Sequence, residues 1–558
     1  MTVDKLNQAI DTTLYPNRWI AVVRERVIGV GLTRDQAYRA AKNTRPKDKP
    51  LLLFVDEQGR LTKPTPEIAD WLGRHNLLVK AIDILRRKQI EAYLVGGAVR
   101  DLLLGREDVI DFDFVVPGDG LTTARQVANA LHAAFYPLDV ERGTGRVVYT
   151  TAEDKTYLDF ASFRGIDLNA DLADRDFTIN AIALSLADPP HLIDPLNGET
   201  DLEQQLIRAT SADAFNHDPV RVLRAVRQAI EFDFTVTAET EAALRQAVVR
   251  LPNVSPERQR DELMKLLTTS APGKAIRMLH NYRVLPYLLP ELEATVNITQ
   301  SAPHYQDVFD HTLAALHYWA AKTDLPQQLD GLAADINTYL ATELAGDVSV
   351  AEMITLSLLL HDTGKALTRT EEEIDEHIKI RFLGHARESA KLARQVMKRL
   401  RFSSQATGFV TDVILHHMRP LMLTGGDKLS RRAIYRFFRD TGSVSPEAGV
   451  AVALHALIDH QATYPPGQGQ AEGEQLLEVV HQLLTAYFER KEQVVDPPPL
   501  LTGRDLIDDF GLKEGRIIGL LLRNLKEAQA AGEVDNREAA VAFIKADPNF
   551  AHQPPKDL

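Results

Sequence analysis

The stretch that most constrains the fold is residues 91–120, EAYLVGGAVRDLLLGREDVIDFDFVVPGDG. Apolar Ala92–Val95 predicts a strand, Gly96-Gly97 a turn, and the segment up to Gly105 a helix. Paired glycines let backbone approach a phosphate closely, and a helix N-terminus behind them offers N–H groups with positive partial charge. Arg100, in the first turn, can add a charge-assisted contact to a triphosphate. By itself such a unit is more often a packing turn. The following VIDFDFVV changes the weighting, because strand alternation puts Asp111 and Asp113 on one face and Ile110, Phe112 and Phe114 on the other. Two carboxylates at that spacing raise each other's pKa unless a cation sits between them. An all-oxygen donor set favours Mg²⁺, completed by phosphates and water. YLDFASF repeats the alternation and offers Asp159 as a third carboxylate; an outward-facing acidic strand is the plainer alternative.

A chain of 558 residues exceeds what one core usually organises, so three or four domains are expected. Within 15–56, RWIAVV and RVIGVG predict a hairpin, DQAYRAAKN a helix and LLLFVDE a third strand, with LTKPTPE as a linker. From about Ala81 to Leu186 the pattern is α/β, and beyond Asp201 it is helical. Breaks fall at Pro252, Pro286 and Pro303, at YPPGQGQAEGE (464–474) and at DPPPL, and the last helix is expected to end near Lys545. The absence of cysteine excludes disulfides and thiolate chemistry. No apolar run is long enough to span a bilayer and the N-terminus does not read as a signal peptide, so no membrane association and a cytoplasmic location are expected. A net charge of −14 argues against a protein coated in nucleic acid but leaves room for a local basic face.

GGAVRDLLLG followed by DFD resembles the first motif of the class II tRNA nucleotidyltransferase and bacterial poly(A) polymerase family. The resemblance continues in order through DLADRDFTINAIA (171–183), LIDPLNGETDL, HDPVRVLRAVR (217–227) and SPERQRDELMKLL (255–267). It implies that Asp111 and Asp113 hold catalytic Mg²⁺, that Gly96, Gly97 and Arg100 meet the nucleotide, and that Arg175 and Asp176 contact its ribose and phosphates. The fourth motif would select the base. Asp218, Arg221, Arg224 and Arg227, spaced by three, are read as one helical flank. A carboxylate accepts from an exocyclic amine and a guanidinium donates to a ring nitrogen, so Asp218 with Arg221 could take C and A and reject U and G. Arg224 and Arg227 remain for the triphosphate and for packing. Two positions depart from the family: His217 stands where glutamate is general, and Asp174 where a second basic residue is common.

After residue 300, His311, His361-Asp362 (in HDTGK), His385, His416-His417 and Asp459 lie in helical context. Spread over successive helices, such side chains can assemble a one- or two-metal site. The string resembles an HD-superfamily phosphohydrolase domain, which implies His311, His361, Asp362 and Asp459 as core ligands and His385 and His417 for a second ion, with Ni²⁺, Mn²⁺ or Mg²⁺ as the metal. Two basic stripes, Arg387–Arg401 and Arg431–Arg439, read equally as tRNA-phosphate contacts or solvated helix faces.

The expected fold is α+β and multidomain: a small α/β domain (1–60), a polymerase-beta-like nucleotidyltransferase head (75–200), a helical neck (201–295), an HD bundle (300–465) and a helical tail (475–558). The expected activity is template-independent addition of C, C and A to the tRNA 3′ end from CTP and ATP. Rivals are A-only, CC-only and poly(A) addition, and, in a different class, an HD phosphohydrolase with a vestigial head.

Overall fold

The computed structural model describes residues 10–16, 18–23, 26–32, 34–45, 50–55, 61–62, 68–106, 109–150, 155–186, 190–321, 329, 331–344, 348–374, 377–426, 428–442 and 447–551. The chain divides into two units, 1–211 and 212–558.

The first unit opens with a four-stranded sheet, β1 (Arg18–Val23), β2 (Arg26–Gly31), β3 (Leu51–Val55) and β4 (Leu61–Thr62), in the order β2-β1-β3-β4. Helix Arg34–Thr44 lies against β2, where a Cβ on Gly29 would stand 2.3 Å from the Ala37 carbonyl oxygen; only glycine permits that approach. The hairpin, helix and third strand follow the sequence expectation. The LTKPTPE linker does not hold throughout: Leu61 and Thr62 pair with Val55 and Phe54, and residues 63–67 lie outside the described residues.

The head is a seven-stranded sheet. Its strands are β5 (Tyr93–Val95), β6 (Asp111–Val116), β7 (Ala134–Asp139), β8 (Thr144–Thr150), β9 (Lys155–Ser162), β10 (Ala183–Ser185) and β11 (His191–Ile193), ordered β11-β10-β5-β6-β9-β8-β7. Within this sheet β6 and β9 run parallel, and the other neighbouring strands pair antiparallel. Helices Asn76–Arg87 and Gly120–Leu131 bury apolar faces, Leu78, Ala81, Ile82 and Leu85 from the first and Ala124, Val127 and Ala128 from the second. Phe112 and Phe114 are 2% and 1% exposed, with Phe114 stacked on Phe160 at 4.6 Å. This buried apolar side of β6 turns Asp111 and Asp113 to the opposite, open face. Ile110 does not join the apolar face as expected. It precedes the strand and is 55% exposed, its carbonyl accepting from the Tyr157 N–H. Residues 117–145 form the Gly120–Leu131 helix, capped by Asp119, then β7 and the start of β8.

The second unit is mainly helical, but against the expectation of helix throughout beyond Asp201 it carries the antiparallel pairs Glu343–Leu344 with Val348–Ser349 and Thr370–Ile374 with His377–Arg381. Arg221–Phe232, Pro256–Leu267 and Pro272–Asn281 form the neck region; Val308–Ala321, Val350–Leu360, His385–Arg399, Ser404–His416 and Ala448–Thr463 form a bundle. Val350–Leu360 is buried at nearly every position and starts on a Ser349/Glu352 capping box, as befits a central helix. Arg399 grips Glu291 through both guanidinium Nη atoms at 2.6 and 2.8 Å, tying neck to bundle. The break expected over 464–474 is shorter, because Gln470–Glu489 is already helical. Residues 501–551 gather a core of their own, with Leu506, Leu521, Leu525 and Ile544 buried.

Candidate active site and metal centre

On the open face of the head sheet, parallel pairing of β6 with β9 sets Asp113 beside Asp159. Asp113 stays accessible to water while protein crowds around it. That crowding thins the hydration of the carboxyl and is the main cause raising its pKa, reinforced by Asp159 and Asp111 and opposed by Arg175 and Arg146. A divalent cation relieves such a cluster, so the oxygen donors of Asp111 and Asp113 fit Mg²⁺. Gly96, with φ +74°, closes the end of β5; a Cβ there would lie 3.2 Å from both Asp113 Oδ2 and Arg175 Nη1. Arg100 donates to Asn180 Oδ1 at 2.8 Å, and Asn180 Nδ2 donates to Asp176 Oδ1 at 2.9 Å. Arg175 is held by Asp171 at 3.1 Å. The structure thus brings together Gly96, Asp113 and Arg175, and links Arg100 to Asp176 through Asn180, a residue the sequence reading did not single out.

The HDPVRVLRAVR stretch, expected to select the base, is built differently from its expected form. Asp218 is not on the helical flank. It caps the short Ala214–His217 helix in an extended conformation (φ −148°, ψ 97°), and the next long helix begins at Arg221. Pro219 is the reason, since a residue before proline is pushed out of the helical region. Arg221, 7% exposed, donates from Nη1 to the Ala214 carbonyl at 3.1 Å. Arg258 reaches Asp218 Oδ2 at 2.6 Å, and Glu262 meets Arg227 at 2.9 Å and Arg224 at 3.8 Å. The 255–267 stretch therefore braces residues 218–227 from one helical turn, with Arg227 paired to both Glu262 and Glu231. Sequence could have flagged Arg258 and Glu262 only as a charge pair at i,i+4.

The bundle gathers the HD residues as expected. His311 Nε2 lies 2.9 Å from Asp459 Oδ1, His361 Nε2 3.3 Å from Asp459 Oδ1, and Asp362 Oδ2 3.2 Å from His361 Nε2. His385 Nε2 stands 3.3 Å from His417 Nε2 and 3.5 Å from Asp362 Oδ1. His311, His361 and Asp362 form one metal-capable group and Asp362, His385 and His417 another, sharing Asp362. Among the described residues, His361 Nε2 and both Asp362 oxygens are buried without a hydrogen-bonded partner despite these short separations. Groups that converge without aligning on each other suit ligands aimed at a common ion. Burial would depress the His361 imidazole, but Asp362 and Asp459 prevail and raise its pKa, so positive charge is favoured at this point. Two residues escaped the sequence reading. Lys365, of HDTGK, lies 2.7 Å from Asp362 Oδ2. His455 is fully buried, its ring 5.1 Å from His361, and its position one turn before Asp459 was the available signal.

A carboxylate-bearing seven-stranded head followed by a helical bundle with a His/Asp centre defines a nucleotidyltransferase carrying an HD module. Residues 92–208 match the poly A polymerase head domain family, 233–295 the probable RNA- and SrmB-binding site of polymerase A, and 336–452 the HD domain. The chain belongs to the tRNA nucleotidyltransferase family. It is 34% identical over 459 residues to the A-adding tRNA nucleotidyltransferase of Deinococcus radiodurans, covering 81% of this chain and 95% of that one. It is 29% identical over 456 residues to the CC-adding enzyme of Synechocystis (82% and 93% covered). A multifunctional CCA protein of Stenotrophomonas maltophilia is 33% identical over 343 residues (59% and 76% covered). In fold it is similar to an apo CCA-adding enzyme (TM-score 0.55, 22% identity, 86% of this chain and 97% of that one). It is also similar to the Thermotoga maritima CCA-adding enzyme complexed with tRNA (TM-score 0.52, 23% identity, 86% and 98%). Among the described residues no helix is long and apolar enough to cross a membrane.

Proposed function

We propose that this chain adds C, C and A to the 3′ end of tRNA from CTP and ATP, without a nucleic-acid template and with release of pyrophosphate. The observation that carries the reading is the Asp111/Asp113 pair on the open face of the head sheet, with Gly96 and Arg175 alongside. Mg²⁺ on that pair would supply Lewis acidity at the α-phosphate and charge neutralisation for the leaving pyrophosphate. Gly96 and Gly97 give backbone access to the phosphates, while Arg100 and Arg175 offer positive charge already oriented by Asn180, Asp101 and Asp171. Asp176, anchored by the Phe177 N–H and Asn180, would receive the ribose. Base choice falls to Asp218 and Arg221, with Arg224 toward the triphosphate and Arg227 as support. The domain division is read as 1–60, 75–200, 201–295, 300–465 and 475–558.

The bundle is read as a divalent-metal phosphohydrolase centre. His311, His361, Asp362 and Asp459 would hold one ion, and His385 and His417, with Asp362, a second; mixed nitrogen and oxygen donors suit Ni²⁺ or Mn²⁺ as well as Mg²⁺.

The test is to supply tRNA trimmed to its discriminator base, and tRNA ending in CC, each with CTP, ATP or both. Three nucleotides added to the first substrate are expected. The similarity to A-adding and to CC-adding enzymes over most of both chains makes single-specificity addition the main alternative; in the A-adding case, A is added only to the CC-ended tRNA. Stalling after two C residues, or long A tracts on unrelated RNA, would replace the reading with CC addition or poly(A) synthesis.

A further inference from the structure

The small sheet β1–β4 and its helix carry none of the residues assigned to the chemistry above, and they lie outside the three matched family stretches. Residues 10–62 contain no histidine, serine or cysteine, so the commonest catalytic base and nucleophiles are absent. What the module offers is charge. Ten arginine and lysine residues stand there against six carboxylates, and nine of the ten fall within 18–49 beside only three acids. This is a basic module on a chain whose net charge is −14. The fold gathers part of that charge on one side. Ala37 and Ala41 turn the helix Arg34–Thr44 inward onto Gly29 and Gly31. Its other side then looks outward: Tyr38, Arg39 and Arg45 are exposed, and the Lys42 ammonium stands 5.6 Å from the Tyr38 ring centroid. Arg45 keeps the helical spacing, its N–H donating to the Ala41 carbonyl at 2.8 Å. Gly31 meets the helix at Gln36 and Ala37, and Gly29 meets it at Ala37 and Ala41, so β2 runs against the helix direction. Exposed Arg26, the first residue of β2, therefore lies toward the Lys42–Arg45 end; its register partner Val23 shares the helix-covered side of β1 with Trp19 and Ala21.

Resting on the reading that this chain acts on tRNA, we propose that the N-terminal module is a docking surface for the tRNA phosphate backbone, with Arg39, Lys42 and Arg45 at its centre. RNA is a dense polyanion and an acidic chain repels it at long range, so a local cationic surface has its largest effect on capture. Duplex RNA is recognised by its shape and backbone rather than by base sequence, which asks for ordered positive charge and no reading pocket. A rigid helix showing cations three residues apart, about 4.5 Å of rise at each step, meets that requirement. A lipid surface fits less well. A helix lying on a membrane turns an apolar face outward, whereas this one turns its alanines inward and its charge outward. The contact serves binding and leaves the transfer step to the head.

The experiment measures binding of the full-length protein to tRNA trimmed to its discriminator base, in salt from about 50 to about 200 mM. Arg39→Gln, Lys42→Gln and Arg45→Gln combined should lower the slope of log affinity against log salt by about two and weaken binding about tenfold at the low-salt end. KM for tRNA should rise in step, while kcat at saturating tRNA stays at the wild-type value, because a contact made equally before and during transfer changes KM alone. Arg39→Lys with Arg45→Lys, which keeps the charge, should keep the wild-type slope. A slope lost equally in that pair places the effect in packing rather than charge and overturns the proposal, as does an unchanged slope in the folded triple variant. Phosphatidylglycerol vesicles that bind wild type but not the triple variant, with tRNA binding unaltered between them, replace the RNA by a lipid surface. Failure of the wild-type protein to extend any tRNA would overturn the transfer reading instead, and the binding slopes would still decide the docking surface.

Discussion

At the scale of single residues, charge pairing decides what each functional group is free to do. Asp218 cannot settle into a helix because Pro219 follows it, and its carboxylate is aimed by Arg258 at 2.6 Å. A carboxylate oxygen has a further lone pair, so Asp218 can accept from a base amine while Arg258 holds its plane. Removing that brace should loosen the recognition angle more than it weakens nucleotide binding. Arg258→Met is therefore expected to shrink the preference for C and A over U by about tenfold, with KM for ATP changed less than the margin, since hydrogen-bonding sites discriminate by leaving wrong partners unpaired. Competition between ATP, CTP and UTP on one trimmed tRNA measures it; an unchanged margin would make Arg258 a packing residue. That Asp111 and Asp113 share the open face of the sheet was legible because alternation in DFDF is a local property. The brace on Asp218 was not, because its partner lies 40 residues away.

At the scale of elements, the basic stripe Arg431–Arg439 changes meaning. Neither a free phosphate-binding face nor a merely solvated one describes it. Arg432, Arg436 and Arg439 converge on Glu527 at 3.3, 2.5 and 2.8 Å, Arg432 also meets Glu533 at 2.8 Å, and Arg431 donates to the Ala530 and Gln493 carbonyls. The helix Arg431–Thr441 is thereby fastened to Arg516–Ala531, the main helix of the tail. Glu527, with its side chain 15% exposed, is the shared acceptor. Glu527→Ala would leave three guanidinium groups facing one another across a partly desolvated seam, at a cost of about 2 kcal/mol. Limited trypsin digestion is expected to release the tail faster from this variant, cutting near residues 490–504. Wild-type digestion kinetics in Glu527→Ala would show that apolar packing alone holds the tail. The first stripe differs. Lys391 pairs with Glu388 and Arg394 donates to the Thr411 hydroxyl, so these two charges are held by local partners.

At the scale of the whole molecule, the carboxylates proposed for nucleotide transfer lie within 1–211 and the His/Asp cluster of the bundle within 212–558. His361 is buried at the middle of that cluster, where its neighbours include His311, Asp362, Asp459 and His455. His361→Ala should abolish divalent-metal-dependent phosphodiesterase activity toward a chromogenic ester while nucleotide transfer to tRNA stays within about threefold of wild type, as expected where the two centres share no ligand residue. Loss of both activities in a folded His361→Ala protein would mean a single shared centre and would redraw the domain map.

Sequence by itself determined the periodic elements and the order of chemistry along the chain. The period of two in DFDFVV, the glycine pair before a helix, and the sequential placement of His311, His361-Asp362, His385, His417 and Asp459 are written within a few residues each. Local sterics and burial suffice to read them. Tertiary structure alone decided which charges neutralise one another. Arg146 with Asp159, Arg258 with Asp218, Glu262 with Arg224 and Arg227, and Glu527 with its three arginines all join separate elements. Such pairs depend on strand register and helix packing. Any arginine can in principle meet any carboxylate, and only the folded geometry selects among them.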